Sequence, residues 1–250
     1  MKLNVQATSA RLPGLVEKFC MGRSIQTEAE LCFANLALSE SQRQAFMIEG
    51  KTPSATPCFT PGTLVVTPQG ERLVEDLIVG DEISTRDNGA QEIRWIAKNQ
   101  MSGRVLASMA HLRPVLIRQG SLGNNLPVRD MQVSPNHRVL VASSLTALYF
   151  EEREVLAAAK HLINNRGIHA LTTTSTTYIH FMFDRHELVL SNGSWTESFQ
   201  PSDSSLRGLG NAQRNEILEI FPQVATSRGI DGYMAARRIL SRREARRLLD

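Results

Sequence analysis

The feature that most limits what this chain can fold into is a change of hydrophobic period close to residue 58. From residue 63 to residue 190 apolar positions alternate with polar ones over short runs, the period of a strand with one buried face. Extended segments are expected at 63–67, 71–74, 81–85, 92–97, 114–118, 137–141, 178–183 and 187–190. Turn-forming sequences separate them, among them Pro68-Gln-Gly70, Asp87-Asn-Gly89, Gly123-Asn-Asn125 and Ser191-Asn-Gly193. Only 151–162 is expected to add a helical turn. Many short strands at close spacing predict an all-β body.

The flanks have the other period. Residues 1–50 read as helical, with capping boxes at Thr27-x-x-Glu30 and Ser39-x-x-Gln42 and Gly50 placed to end the second helix. The segment 51–57 carries Pro53 and Pro57 and reads as a linker. Beyond Pro201, residues 211–221 predict a helix halted by Pro222. Residues 233–249 then carry an apolar stripe that includes Ala236, Leu240, Ala245 and Leu248, and Ser241-x-x-Glu244 is a third capping box that divides this stretch into two short helices. The expected organisation is a helical region at 1–50, a linker at 51–57, a β-domain at 58–201 and a helical, arginine-rich extension at 202–250.

Composition removes several classes. With 42% hydrophobic and 21% charged residues the chain is neither disordered nor collagen-like. Its longest apolar runs, about five or six residues, fall far short of the roughly 20 that cross a bilayer, so no membrane span is expected. Asn4, Gln6, Thr8, Ser9 and Arg11 break up any signal-peptide core. Cytoplasmic synthesis is therefore expected, with a leaderless export route left open. The three cysteines, Cys20, Cys32 and Cys58, form no C-x-x-C unit and suit neither a disulfide framework nor a zinc site. From Arg228 onward seven arginines face only Asp231, Glu244 and Asp250, so the basic surplus belongs to the tail. Without interleaved aromatics or a nucleic-acid motif, the apolar stripe is expected to dock on the β-body, and nucleic acid is not an expected partner.

Cys58 sits where the linker ends and the β-body begins. A cysteine there can attack the carbonyl carbon of the preceding peptide through a five-membered ring, converting the Pro57–Cys58 amide to a thioester by an N-to-S acyl shift. The step needs an activated thiol, donors for the developing oxyanion and an acid for the departing amide nitrogen. Ser134-Pro-Asn-His137 supplies a candidate acid in His137, whose type titrates near neutrality. A third cluster places His180, Asp184 and His186 at even positions of a segment read as extended, so that all three share one face. Alternate residues on a strand stand roughly 7 Å apart, which is awkward for one metal. No metal or other cofactor is expected.

The ordered set Cys58-Phe-Thr-Pro-Gly-Thr63, Val79-Gly-Asp81, Ser134-x-x-His137, Phe183-Asp-Arg-His-Glu187 and Asn192-Gly193, ending in Glu197-Ser-Phe199, resembles the Hint (hedgehog/intein) superfamily. It is most similar to the bacterial intein-like Hint type 2 domains. The resemblance implies a Hint-type all-β horseshoe between helical appendages. It implies Cys58 as nucleophile at the Pro57–Cys58 bond and Ser134 and His137 as the activating pair, with Ser in place of the usual Thr. It implies His186 as the downstream histidine. The implied activity is autoproteolysis, with the chain's own N-terminal segment as cis substrate and water or an external nucleophile resolving the thioester. Gly193-Ser-Trp-Thr-Glu-Ser-Phe199 offers no terminal Asn to cyclise, so full splicing is not expected. The ring of Pro57 restricts distortion of the bond before Cys58. The alternative is a catalytically silent Hint-fold module for interaction or secretion.

Overall fold

The computed structural model describes residues 56–248. The expected helices of residues 1–50 and most of the expected linker lie outside that span. The described chain opens with β1 (Leu64–Thr67) and β2 (Gly70–Leu73), an antiparallel hairpin in which Thr67 pairs with Gly70. Alternation puts Val65 and Thr67 inside. A second hairpin follows, β3 (Glu82–Thr85) with β4 (Gly89–Glu92). Then come β5 (Trp95–Ser102), α1 (Gly103–Ser108), β6 (Val115–Ile117), β7 (Met131–Val133), β8 (Arg138–Val141), α2 (Ser144–Phe150), β9 (Val155–Ala158), β10 (Ile168–Ala170) and β11 (Ser175–Met182). The β-body ends with β12 (Leu188–Ser191) and β13 (Ser194–Glu197). These two strands are joined through Asn192 and Gly193, both at positive φ, the backbone that a tight hairpin turn requires. A Cβ on Gly193 would also lie 2.7 Å from Val128 side-chain carbons, so the turn has room only for glycine.

The described strands form three sheets. The largest runs β9–β8–β13–β12–β1–β2, with the β3–β4 hairpin joined through β12. A smaller sheet orders β10–β6–β7, and β5 pairs with β11 along eight residues, from Trp95 opposite Met182 to Ser102 opposite Ser175. One apolar core, with Phe59, Val65, Ile83, Ile179 and Phe181, fills the region where β1, β3 and β11 meet. A second gathers Ile117, Val139, Ala157 and Leu162 around β6, β8 and β9.

Beyond β13 the chain forms α3 (Asp203–Gly208), α4 (Asn211–Ile220) and α5 (Ser227–Gly232), then β14 (Arg238–Ile239) and α6 (Arg242–Arg246). Helix α4 stops ahead of Pro222, which cannot extend it. The capping box of Ser241 and Glu244 forms at α6. Among the described residues no helix is long and apolar enough to cross a membrane.

Three expectations are corrected. Within residues 151–162 the helical turn is confined to Ala159–His161, because Val155–Ala158 is a strand between β8 and β14 with every residue buried. The local helix lies just before it, at α2. Of the two short helices expected over 233–249, the second forms as α6 but the first does not. Arg238 and Ile239 pair in parallel with Val155 and Leu156, adding an edge strand to the main sheet. Finally, β11 ends at Met182 and the chain turns before β12, so His180, Asp184 and His186 do not share a strand face. Asp184 is exposed, whereas both histidines are buried.

The tail does dock through its apolar side. Leu240 and Ala245 belong to the core around β8 and β9, with Leu248 packed against it. Several of its arginines are also engaged. Arg237 pairs with Asp87 at 2.8 Å and with Glu154 at 2.9 Å. Arg247 lies over the ring of Tyr149, 4.2 Å from its centroid.

Candidate autoprocessing site

The neighbour of Cys58 fixes its place. Phe59 is 1% exposed and exchanges both backbone hydrogen bonds with Ile179 of β11, at 2.7 and 2.9 Å, while it also bridges Val133 of β7. Its ring stacks on Phe181 at 5.1 Å and meets the ring of His137 edge-on at 4.4 Å. An aromatic anchor in a dry core therefore stitches the start of the β-body between two sheets. Cys58 is carried into the interior with it.

Around Cys58 the contacts converge. Its backbone N–H, the nitrogen of the Pro57–Cys58 peptide, donates to Ser134 Oγ at 2.9 Å. Ser134 Oγ in turn donates to the Thr56 carbonyl at 2.6 Å, and the Ser134 N–H donates to the Cys58 carbonyl at 2.9 Å. The thiol lies 3.0 Å from the Thr56 carbonyl oxygen and 3.0 Å from Nδ1 of His180. Ser134 follows β7 directly and His137 precedes β8, so the tight Ser134–His137 turn, closed by His137 N–H to Ser134 O at 3.0 Å, is held at both ends by sheet.

The pocket is almost free of charge. Burial pushes the Cys58 thiol well above its ordinary range and the negative charge of Glu197 adds to that, while the Ser134 hydroxyl acts the other way. Cys58 is therefore a thiol at neutral pH. Burial likewise pushes His180 and His137 down to about 4, so both are neutral imidazoles there, with Glu197 opposing the shift at His137. Neither ring nitrogen of His137, nor Nε2 of His180, has a hydrogen-bond partner among the described residues. The ring of His180 stacks on Trp95 at 5.4 Å and 7°, which holds its plane while Nδ1 faces the sulfur.

His186 lies in a different environment. Its Nδ1 accepts from the Ala236 N–H at 2.9 Å, so the ring proton is on Nε2, 3.1 Å from Glu197 Oε2. Glu197 is fully buried and also accepts from Arg138, from the backbone N–H at 2.8 Å and from the guanidinium at 2.7 Å. Burial alone would raise this carboxyl, but Arg138 and His186 outweigh it and hold Glu197 below its usual range.

Of the residues expected from the sequence, Cys58 and Ser134 are in direct contact, and His137 adjoins them through the Ser134 turn and the Phe59 ring. His186 pairs with Glu197 instead of with Cys58. The residue on the thiol is His180, which sequence reasoning left without a role. Strand parity is its one signal, since Ile179 and Phe181 supply one core and His180 must point the other way. Thr56 and Glu197 carried no signal of their own.

Residues 57–203 match the family model described as the Hint domain. Among solved structures, the solution structure of a bacterial intein-like domain from Clostridium thermocellum is 11% identical, with 58% of this chain and 99% of that chain covered and a TM-score of 0.37. The crystal structure of gp41-1 intein is 16% identical, with 56% and 97% covered and a TM-score of 0.33. That of MchDnaB-1 intein is 12% identical, with 56% and 98% covered and a TM-score of 0.35. No curated protein matches. With its mainly β architecture and a family match spanning more than half its length, the chain belongs to the Hint domain family, whose fold supports self-processing.

Proposed function

We propose that the chain cleaves itself at Pro57–Cys58 by an N-to-S acyl shift, without splicing. The observation that carries this reading is the seat of the Cys58 thiol 3.0 Å from His180 Nδ1, while the amide nitrogen of the same residue donates to Ser134 at 2.9 Å. The thiol is too deeply buried to ionise by itself, so a base must take its proton as attack begins. His180 Nδ1 takes it. The sulfur then bonds to the Pro57 carbonyl carbon, and the carbonyl becomes a tetrahedral oxyanion. As the C–N bond breaks, His137, having first taken a proton from solvent, gives it to the Cys58 nitrogen. The proton gained by His180 balances the one given by His137, so the net transfer is from sulfur to nitrogen. Water next adds to the thioester and the C–S bond breaks. The products are residues 1–57 with a new carboxylate and a chain that begins with Cys58 as a free amine and thiol.

Ser134 orients the scissile amide, because its hydroxyl accepts from the Cys58 N–H and donates to the Thr56 carbonyl. It ties the two peptide units on either side of Pro57 to one side chain. The absence of an Asn between Gly193 and Phe199 supports cleavage at one junction only.

A second reading, a silent Hint-fold module, is favoured by the burial that keeps the thiol protonated. Intact mass of the purified full chain, incubated with and without dithiothreitol, separates the two. Release of residues 1–57, accelerated by thiol, supports autoproteolysis. A chain that stays at 250 residues with excess thiol is the silent module.

A further inference from the structure

The pocket around Cys58 abuts a second buried constellation that the reaction above does not use. Glu197 on β13 holds the backbone and side chain of Arg138, the residue that follows His137, while His186 shares the Glu197 Oε2 with the guanidinium. His186 is in turn seated by the Ala236 N–H, and Gln200 donates to the Tyr233 carbonyl at 3.1 Å. Residues 233–236 of the C-terminal extension are thus joined by hydrogen bonds to the turn that carries His137. We propose that Glu197 is a positioning residue for the Ser134–His137 turn and supplies the negative charge against which His137 carries its proton, with the C-terminal segment completing its seat through Ala236 and His186. The proposal rests on the cleavage reading above, in which His137 protonates the Cys58 nitrogen.

The physical argument is one of compensation. A buried carboxylate is retained only where charge and hydrogen bonds satisfy it, and Glu197 has both. The ionisable groups acting on His137 are Glu197 from β13, which favours its protonated form, and Arg138 from β8 and His186 from the β11–β12 connection, which oppose it. Glu197 is the anion of this constellation, and it is the one group acting on His137 whose charge helps that ring act as an acid. Mispositioning would matter as well. With Glu197 shortened, the Arg138 N–H would lose its acceptor, and the turn that sets Ser134 against the scissile amide would loosen.

Two measurements on the full chain test this. In a Cys58→Ala background, which keeps the chain whole, NMR follows the protonation of His137 with and without Glu197→Gln. The expected result is a lower midpoint for His137 in Glu197→Gln. A merely loosened interior would move the midpoint the other way, upward toward the solvent value, so an unchanged or raised midpoint overturns the proposal. With Cys58 restored, Glu197→Gln should slow release of residues 1–57 by about 10-fold or more, in the range over which an acid contributes. Glu197→Asp, which keeps the charge but shortens the reach, should slow release several-fold and leave the His137 midpoint in place. If Glu197→Gln does not fold, Glu197→Asp decides, and release at the unsubstituted rate overturns positioning. Should the unsubstituted chain stay whole with excess thiol, the cleavage reading fails, and the His137 midpoint still judges the electrostatic link.

Discussion

The chain enters and leaves the β-body at two junctions that lie side by side on β11. Inbound, Phe59 pairs with Ile179; outbound, the Phe199 N–H donates to the Phe181 carbonyl at 2.9 Å. Their chemistry is opposite. The inbound junction puts a thiol, a hydroxyl and two neutral imidazoles together with three ring nitrogens lacking partners among the described residues. At the outbound one, Glu197 is saturated by Arg138 and His186, and Ser198 exchanges hydrogen bonds with Glu187 at 2.9 and 3.0 Å. A saturated buried network fixes a backbone, whereas groups with spare valence can accept and give protons. Groups with spare hydrogen-bonding capacity are concentrated where the chain comes in, and saturated ones where it goes out.

The sharpest way to break that contrast is Cys58→Ala, which should abolish release of residues 1–57 altogether. No other side chain reaches the Pro57 carbonyl through a five-membered ring. Release persisting in this variant, read by intact mass, would sink the acyl shift. His137→Ala and His180→Ala should each slow release by roughly 10²- to 10⁴-fold, the usual worth of a positioned acid or base. Circular dichroism should show the sheet intact in both. The pH dependence carries a sign. Because His137 must gain a proton and its midpoint is about 4, release should quicken as pH falls from 8 toward 6. A reaction limited by free thiolate would do the reverse.

The outbound junction should instead report in stability. Glu197→Ala leaves the Arg138 backbone N–H and His186 Nε2 without their acceptor and the guanidinium with Gln200 in place of a carboxylate, and should cost about 3 kcal/mol or more in urea unfolding of the Cys58→Ala chain. Acid sharpens the comparison further. The folded midpoints of His137 and His180 are depressed from 6.5 to about 4, so the unfolded chain binds protons first. Stability is therefore full above pH 6.5 and falls as pH drops from 6.5 to 4, by up to about 3 kcal/mol for each histidine. Replacing either one with Gln should flatten its share, whereas loss below pH 4.5 belongs to carboxylates such as Glu197. At the small end, replacing Arg242, Arg243, Arg246 and Arg247 together should leave release unchanged and shift stability by less than about 1 kcal/mol. Leu240→Ala, by contrast, removes a buried side chain and should cost about 2–4 kcal/mol.

How much of this the sequence discloses varies by element. Strands with one wet face, such as Leu64–Thr67, declare themselves by alternation. Val155–Ala158 does not. A strand covered on both sides loses its period, and its Leu and Ala content favours a helix when read locally. Helix α2 escapes notice for a related reason, since its capping box uses Thr146 where a Glu or Gln would be diagnostic. The two-residue strand Arg238–Ile239 is too short to show any period. At the site, Cys58, Ser134 and His137 stand out because their motifs occur in order. His180 does not, because its contact with Cys58 depends on Phe59 pairing with Ile179, a long-range register that no local pattern encodes.

The parallel pairing of Arg238 and Ile239 with β9, and the Ala236 N–H on His186, have a consequence in time. A ribosome adds about 5–20 residues per second, so Cys58 leaves it many seconds before Ala236 does. In the interval the nucleophile exists but its surroundings are unfinished, since β11, β13 and the last strand are still to come. On the cleavage reading, a nascent chain would keep the Pro57–Cys58 bond until β11 has supplied His180, and release would reach its full rate after synthesis has passed the segment that closes the sheet.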